Sequence, residues 1–390
     1  MNILMVLEHE YPEDERVTKE IKTLQRNGHH IVLACSTLQN RKTHEVMNDI
    51  EVYRKRISKF TAKKTSVGAL KFPFYFNFWF SFLKTILNEL HFDAIHIHDL
   101  PLARVGYILS RKYDMKFVLD LHENWPVLLE LSPHTKSILG RTLSSRKQWL
   151  NYEKKYATLA DGLIVVAEEM KQRLLDRGVI NKNISVVPNT SNVYIFEKYN
   201  DINPDEKYIT LYYAGGITRH RGLDIVIKAL AKMKLPDNFR FWIIGKGRNE
   251  ENLKEMVKEF NLEDKVYFLG WKAHNMVLKL LFKSDIAVIP HLKNEHTDNT
   301  SPNKIFHYML AGKPVLSSNC KYLKKIVEKT KAGLIYSDKN IKDFRNKLSQ
   351  LIADKKLRTK LGENGHNAAI EKYNWGNTSK SLIELYKNIA

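Results

Sequence analysis

Short apolar runs alternate with helical patterns twice along this chain, and no other feature limits its fold so strongly. Runs at 2–7, 30–34, 94–98, 116–121, 163–166 and 184–187 are rich in Ile, Val and Leu and too short for helices. Runs apolar on both faces suit a parallel sheet covered on both sides. Between them, 14–27 and 168–177 carry helical patterns, closed by Gly28 and Gly178. Glycine just past a helical pattern is the expected stop. A polar, turn-rich stretch at 200–207 reads as a linker, after which the alternation restarts. Strands are expected at 209–214, 240–244, 266–269, 286–289 and 314–317, and helices at 222–233, 250–260, 302–311, 341–353 and 356–373. At 390 residues the chain is too long for one ordinary core. The expectation is an α/β protein of two doubly wound parallel-sheet domains, at 1–200 and 207–374. Such sheets bind ligands at the carboxyl ends of their strands, and two side by side create a cleft.

Charge and composition narrow the function. Sixty-three Lys and Arg against 43 Asp and Glu leave a net charge of +20, which points to anionic partners: nucleotides, nucleic acid or an acidic membrane face. No helix-turn-helix, zinc or RNP-type motif is visible, so no specific nucleic-acid partner is expected. Seventeen Phe, 18 Tyr and 6 Trp exclude a disordered chain. The only cysteines, Cys35 and Cys320, give neither metal spacing nor a disulfide framework. They suit a reducing compartment, and we expect a cytoplasmic protein. Met1–Leu7 lacks a basic leader and runs into Glu8-His9-Glu10, so it reads as a first strand rather than a signal peptide. The longest apolar stretch, 72–83, is shorter than the roughly 20 residues needed to span a bilayer.

From Val52 to Asn88 there is no acidic residue. The stretch carries Arg54, Lys55, Arg56, Lys59, Lys63, Lys64, Lys71 and Lys84 beside Phe72, Phe74, Tyr75, Phe76, Phe78, Trp79, Phe80 and Phe82. Two readings stay open. The segment docks on an anionic membrane surface, the inner face of the plasma membrane, or its aromatics form a core helix.

The most informative stretch runs from Asn299 to Val315, with Ser301 as a candidate N-cap, Pro302 as a first helical residue, and Asn303 and Lys304 after them. Lys304 and His307 are three apart and share a helical face. A lysine in the first turn opposes the helix dipole, which makes sense if an anion sits there. The plainer reading is a capped amphipathic helix with a solvated lysine.

This stretch resembles the signature of retaining glycosyltransferase family four, the glycosyl transferases group 1. Its pattern is Glu-x7-Glu followed by Tyr/Ala-Met and Ala-Gly-x-Pro-Val. Other segments match the family in order. Pro12-Glu-Asp14-Glu-Arg16-Val17 and Gly28-His29-His30-Ile31 resemble its opening, and Val187-Pro188-Asn189 its "Val-x-Pro-Asn". Gly215-Gly216-Ile-Thr-Arg-His-Arg221-Gly222-Leu-Asp resembles "Gly-x-Leu-x-x-x-Lys/Arg-Gly-Leu-Asp". Ile244-Gly245-Lys-Gly247 and Phe268-Leu-Gly270-Trp271 match two further strand-end turns.

The resemblance implies a GT-B fold: two facing Rossmann-like domains with an interdomain cleft, and residues 375–390 returning to the first domain. It implies a retaining, metal-independent hexosyltransferase that needs no cofactor beyond its nucleotide-sugar donor, most commonly a UDP-sugar. The acceptor would be a glycan or lipid-linked glycan in surface polysaccharide synthesis. Arg221 and Lys304 would grip the diphosphate, with Ser301, Pro302 and Asn303 at the helix start. Gly215, Gly216, Gly245, Gly247 and Trp271 would line the donor site. His122, in Asp120-Leu-His122-Glu123, would face the transferred sugar and acceptor. Asp14, Arg16, His98 and Glu123 would serve the acceptor side. His96-Ile-His98-Asp99 invites a metal guess, but a strand-end polar site is the expectation and no metal is assigned. Both family glutamates are replaced, by Asn299 and His307. Asn299 keeps hydrogen-bonding capacity without charge, and His307 can still reach a ribose hydroxyl. A non-catalytic nucleotide-sugar-binding partner and a sugar-nucleotide epimerase of the same fold remain as alternatives.

Overall fold

The computed structural model describes residues 1–58, 68–130 and 138–390. It divides into two compact units, residues 1–188 with 379–390 (unit 1) and residues 189–378 (unit 2). Among the described residues, no helix is long and apolar enough to cross a membrane.

Unit 1 is built on eight described strands: β1 (Asn2–Leu7), β2 (His30–Thr37), β3 (His44–Met47), β4 (Ile50–Arg56), β5 (Ala94–His98), β6 (Lys116–Leu121), β7 (Gly162–Val165) and β8 (Ile184–Val186). Their order is β3-β4-β2-β1-β5-β6-β7-β8, parallel throughout except for the antiparallel β3–β4 pair. β1 pairs with β2 on one side (Ile3 with Ile31) and with β5 on the other (Ile3 with Ala94), so the winding reverses there. A doubly wound sheet opens its binding crevice at such a reversal, beyond the carboxyl ends of the strands. β1, β5 and β6 are buried almost throughout, as strands covered on both faces must be.

The helix Glu15–Arg26 begins at Asp14, whose carboxylate accepts from the backbone N–H groups of Arg16 and Val17. The last helix, Lys380–Ile389, packs on β7 and β8 with Leu382, Leu385, Tyr386 and Ile389 buried.

Unit 2 carries six described strands: β9 (Ile209–Ala214), β10 (Phe239–Ile244), β11 (Val266–Gly270), β12 (Ile286–Ile289), β13 (Val315–Ser318) and β14 (Gly333–Tyr336). Their order is β11-β10-β9-β12-β13-β14, all parallel. The reversal lies between β9 and β12, so ligand contacts are to be sought in the loops after Ala214 and Ile289.

The structure moves the expected boundary. The first crossing falls between Pro188 and Asn189 rather than at 200–207. Residues beyond it are already tied into unit 2. Asn189 donates to Ser301, Ser191 bridges to Asn374, and Phe196 packs on Phe282 and His307. Residues 375–378 also stay with unit 2, and the return begins at Ser379.

The aromatic segment divides. Tyr75, Phe76, Trp79 and Phe82 are on the buried face of the helix Phe74–Glu89, at the spacing of a core stripe. Phe78 and Phe80 are half-buried, and Phe72 and Phe74 are exposed. Arg54 is buried against Glu45, while Lys59, Lys63 and Lys64 lie outside the described residues.

Packing beneath the sheet is tight at Gly106 of the helix Ala103–Lys112, where an added Cβ would sit 2.3 Å from Ile97 Cγ1. Gly106→Ala is therefore expected to destabilise unit 1 by about 1–3 kcal/mol through overpacking. Adding Ile97→Ala should recover part of that loss, and urea unfolding of the three variants measures both effects.

Candidate active site

Beyond the carboxyl ends of β9, β10 and β11, unit 2 holds a cavity of about 490 Å³. Gly215, Gly216, Arg221, Gly245, Trp271, Asn303, Lys304 and His307 line it, together with Lys246, Lys272, His274 and Tyr308. Two loops form its floor by close backbone approach. Gly215 (φ 144°) faces Lys304, whose Nζ lies 2.6 Å from where a Cβ would be. Gly245 (φ 137°) has no room for a Cβ, which would meet the carbonyl oxygen of Gly215 at 2.0 Å. The glycines are thus required by one loop packing on another, rather than by a nucleotide alone. Gly247 has the same role against the carbonyl of Ile217 and does not line the cavity.

Lys304 opens a helix of seven residues, Lys304–Leu310, later than the sequence suggests. Asn303, not Ser301, occupies the cap position, with helical backbone and no side-chain cap bond. The Ser301 hydroxyl is spent on Tyr322 (2.9 Å) and on the N–H of Asn189 (3.3 Å). Neither Ser301 nor Pro302 lines the cavity. Attraction for an anion therefore rests on side chains rather than on a helix end. Lys304 Nζ is buried, has no hydrogen-bond partner among the described residues, and lies 4.3 Å from the ring centroid of Tyr213. Burial, and then the Arg221 guanidinium, push its pKa well below the usual lysine range.

Asn299 ends the short helix Glu295–Asp298, and its amide donates to the carbonyl of Glu295 at 2.6 Å, so it does not line the cavity either. His307 does line it, with its ring 5.4 Å from Phe196 and 5.8 Å from His274. Sequence reasoning missed a group of histidines beside Arg221. His291 Nε2 lies 2.8 Å from Arg221 Nη1, and the His220 and His296 rings meet edge-on at 6.0 Å. Burial, then Arg221 and Lys304, press His220 down to about 4. Burial, then His220 and Arg221, press His296 to about 3. The signal was there in the strand-end positions of His220 and His291, but histidine near a turn has many uses.

In unit 1, His122 follows β6 and is 12% exposed. Its Nε2 lies 3.0 Å from Asp120 Oδ2, and its Nδ1 lies 3.6 Å from Asp99 Oδ2. Burial opposes a charge here, but Asp99 and Asp120 outweigh it and raise the imidazole to about 10. His122 is therefore an imidazolium near neutral pH, with Nε2 committed and Nδ1 beyond hydrogen-bond reach of Asp99. Asp99 holds a φ of 69° and ψ of 153°, a region nearly reserved for glycine. That strain costs about 1–3 kcal/mol and is typical of functional positions.

Beneath His122 lies a buried network. Arg16 donates to Asp120 through Nη2 (3.1 Å) and Nε (3.3 Å) and to the carbonyl of Val187 through Nη1 (2.9 Å), and its Nε lies 3.0 Å from Glu20 without a hydrogen bond to it. His98 Nδ1 is 3.3 Å from His122 Nε2, and His96 stacks on His98 and bonds the Tyr386 hydroxyl at 2.8 Å. Burial and the neighbouring Asp120 charge drive Glu20 up to about 8 despite Arg16. Burial would also raise Asp120, but Arg16 and then His122 hold it well below the usual range. Glu20, His96, His98 and Asp120 bring ligand-type atoms within 4.8 Å of one another. Arg16, bonded to Asp120 and beside Glu20, already supplies the cation that such a group would take. Arg16 and His98 thus support His122 from below instead of facing an acceptor. Asp14 is the helix cap described above, and Glu123 is half-buried beside His122. In unit 1, a cavity of about 320 Å³ is lined in part by Glu8, His9, Glu10, Glu13 and Asp14.

Folding raises His122 from 6.5 to about 10, so its contribution to stability is full below pH 6.5 and is lost as pH rises through 10. Histidine-selective NMR should find its titration near pH 10. Asp99→Asn should move that titration to lower pH, and an unchanged curve would remove Asp99 from the account.

Comparison with known proteins fits this geometry. Residues 15–192 match the family model described as Glycosyltransferase Family 4, and residues 195–368 match Glycosyl transferases group 1. An uncharacterized glycosyltransferase of Methanocaldococcus jannaschii is 25% identical over 97% of this chain and 96% of its own length. The N,N'-diacetylbacillosaminyl-diphospho-undecaprenol alpha-1,3-N-acetylgalactosaminyltransferase of Campylobacter jejuni is 28% identical over 49% of this chain and 47% of its own. The crystal structure of Anabaena HepE in complex with UDP and glucose superposes with a TM-score of 0.72 at 17% identity, covering 99% of each chain. With two parallel-sheet units, each matched by one of the paired models, this chain belongs to glycosyltransferase family 4 of the GT-B fold.

Proposed function

We propose that this glycosyltransferase takes its sugar from a nucleoside diphosphate sugar, most simply a UDP-sugar, bound in the unit 2 cavity, and transfers it with retention to a glycan or lipid-linked glycan acceptor. One observation carries the reading: Arg221 and the unpartnered Lys304 meet at the switch point of the second sheet, in a cavity whose described lining holds no carboxylate. Breaking the bond between the anomeric carbon and the diphosphate oxygen builds negative charge on the leaving phosphate. Arg221 and Lys304 are the groups to receive it. The anomeric carbon becomes oxocarbenium-like, as in other glycosyl transfer. With no carboxylate in that lining to act as nucleophile, front-face attack is the simplest route. The acceptor oxygen bonds the anomeric carbon as the diphosphate leaves, and the acceptor's proton passes to the departing phosphate oxygen. No metal is required by this chemistry when two cationic side chains stand in its place.

The acceptor is assigned to unit 1. Glu8, Glu10, Glu13 and Asp14 around the 320 Å³ cavity offer the acceptor oxygens that a polyhydroxylated glycan needs, and the His122 Nδ1–H offers a donor. The Campylobacter relative is named for a lipid-linked acceptor, which favours surface polysaccharide synthesis at the cytoplasmic face of a membrane.

A thermal-shift panel of nucleoside diphosphates and their sugars tests the donor reading. At least one uridine compound is expected to stabilise the protein. Arg221→Gln and Lys304→Met should each weaken it ten- to hundredfold, about 1.5–3 kcal/mol for a charge-assisted bond. Unchanged affinity and turnover in both variants would overturn the assignment. Binding without sugar release would identify a non-catalytic partner, as the neutral Asn299 would favour, and sugar isomerisation an epimerase.

Membrane docking now rests on exposed Phe72, Phe74 and Lys71, with Arg56 and Lys84. Vesicle sedimentation should show binding to anionic but not neutral lipid, reduced several-fold by Phe72→Ser with Phe74→Ser. Equal binding to both lipids would refute it.

A further inference from the structure

We propose that a nucleoside diphosphate binds in unit 2 together with protons taken up by Lys304 and His220, so that the cavity becomes fully cationic only when the anion is in it. This rests on the donor-site reading above and adds the protonation chemistry of the same site.

Lys304 is 8% exposed, and its Nζ, which makes no hydrogen bond among the described residues, lies over the Tyr213 ring face and beside Gly215. An ammonium group so placed, beside the permanent charge of Arg221, lacks the partner that a buried charge needs. Neutrality is the state that burial and Arg221 both favour.

The histidines tell the same story. An arginine can only donate, so the 2.8 Å contact from Arg221 makes His291 Nε2 an acceptor and leaves that ring neutral. The His220 ring meets the Thr218 hydroxyl, which can accept or donate at 3.2 Å and so suits either protonation state. His296, edge-on to His220, has a buried Nδ1 without a partner.

Among the described residues, no Asp or Glu lines the cavity beside these groups. From the β9 loop come Arg221, His220 and Tyr213, whose hydroxyl donates to the carbonyl of Gly216. From the helix of Lys304 come His307 and Tyr308, the latter accepting from the N–H of Ala214. Lys246 comes from the β10 loop, and Lys272 and His274 follow β11. On the neighbouring short helix, Asp298 accepts from the N–H of Lys321 and faces Lys293, and Glu295 is held in contacts of its own. Asn299, which ends that helix, is uncharged, and its amide is spent on a backbone carbonyl.

A diphosphate supplies the missing negative charge. Once it is seated, the charged forms of Lys304 and His220 gain charge-assisted bonds and their pKa values rise. His291 stays neutral because Arg221 holds its acceptor nitrogen. The sign follows directly. Both groups are depressed in the empty site, His220 to about 4 and Lys304 well below its usual range, and both are raised by the ligand. Affinity is therefore highest at low pH and weakens as pH rises toward the bound-state values, about tenfold per pH unit for each proton taken up. Product release returns those protons and leaves Arg221 as the buried charge of the site.

Isothermal titration with UDP as the probe, at pH 7.5 in HEPES and in Tris, measures the uptake through the difference in buffer ionisation heat. The expected result is about one proton or more per UDP, with Kd weakening about tenfold from pH 7.5 to 8.5, above the range in which UDP itself titrates. Ribose 5-diphosphate, fully ionised in this range as UDP is, should reproduce the uptake, which ties it to the diphosphate and not to the base. His220→Gln and Lys304→Met should each lower the proton count, and His220→Gln, at a half-buried loop position, keeps the test open if the buried variant does not fold. Buffer-independent binding with a flat Kd between pH 7 and 8.5 overturns the proposal and leaves the donor site standing. Failure of every nucleoside diphosphate to bind removes both.

Discussion

Two arginines with opposite surroundings organise the two units. In unit 1, Arg16 is buried between Glu20 and Asp120 and joins the first helix to the end of β6. Its charge is spent internally, and the product is an oriented His122 at the sheet's edge. In unit 2, Arg221 meets only histidines, a lysine and open cavity. Its charge is unspent, and the structure around it supplies no counter-ion among the described lining residues. A buried ion pair fixes geometry, whereas an unbalanced cation waits for a ligand. The same residue type thus builds a scaffold in one unit and a binding site in the other.

Much of this was legible in the sequence, for a physical reason. Strands such as Asn2–Leu7, Ala94–His98 and Ile286–Ile289 are buried on both faces, so their composition alone marks them. Three strands were not legible, β3, its neighbour β4 and β14, whereas the edge strands β8 and β11 were anticipated. β3, exposed and mixed in character, and β14, four residues opening on Gly333, carry no such signature. The domain boundary was misread for a related reason: polar residues at 200–207 signal a turn, but only tertiary contacts show which unit the preceding segment joins. In the site, Arg221 and Lys304 stood out through spacing and a family pattern. Asp120, Glu20 and Tyr386 could not, because their roles arise from elements distant in sequence that meet only after folding.

Ser301 and the aromatic segment teach a complementary lesson. A serine before a helix is a reasonable cap, yet here its hydroxyl is claimed by Tyr322 and Asn189, and the helix starts later. A run of aromatics beside lysines suggests a greasy surface, yet helical periodicity sends half of it inward. In both cases the local signal was correct about chemistry and silent about direction.

The closing helix has a consequence for how the protein is made. Leu382, Leu385, Tyr386 and Ile389 complete the core under β7 and β8, and Tyr386 reaches the histidines behind His122. During translation, residues 1–188 leave the ribosome long before these side chains exist. The first unit must wait with an apolar flank uncovered while the whole of the second is synthesised and folds. A chaperone binding that flank would be guarding a vacancy that only the last dozen residues can fill.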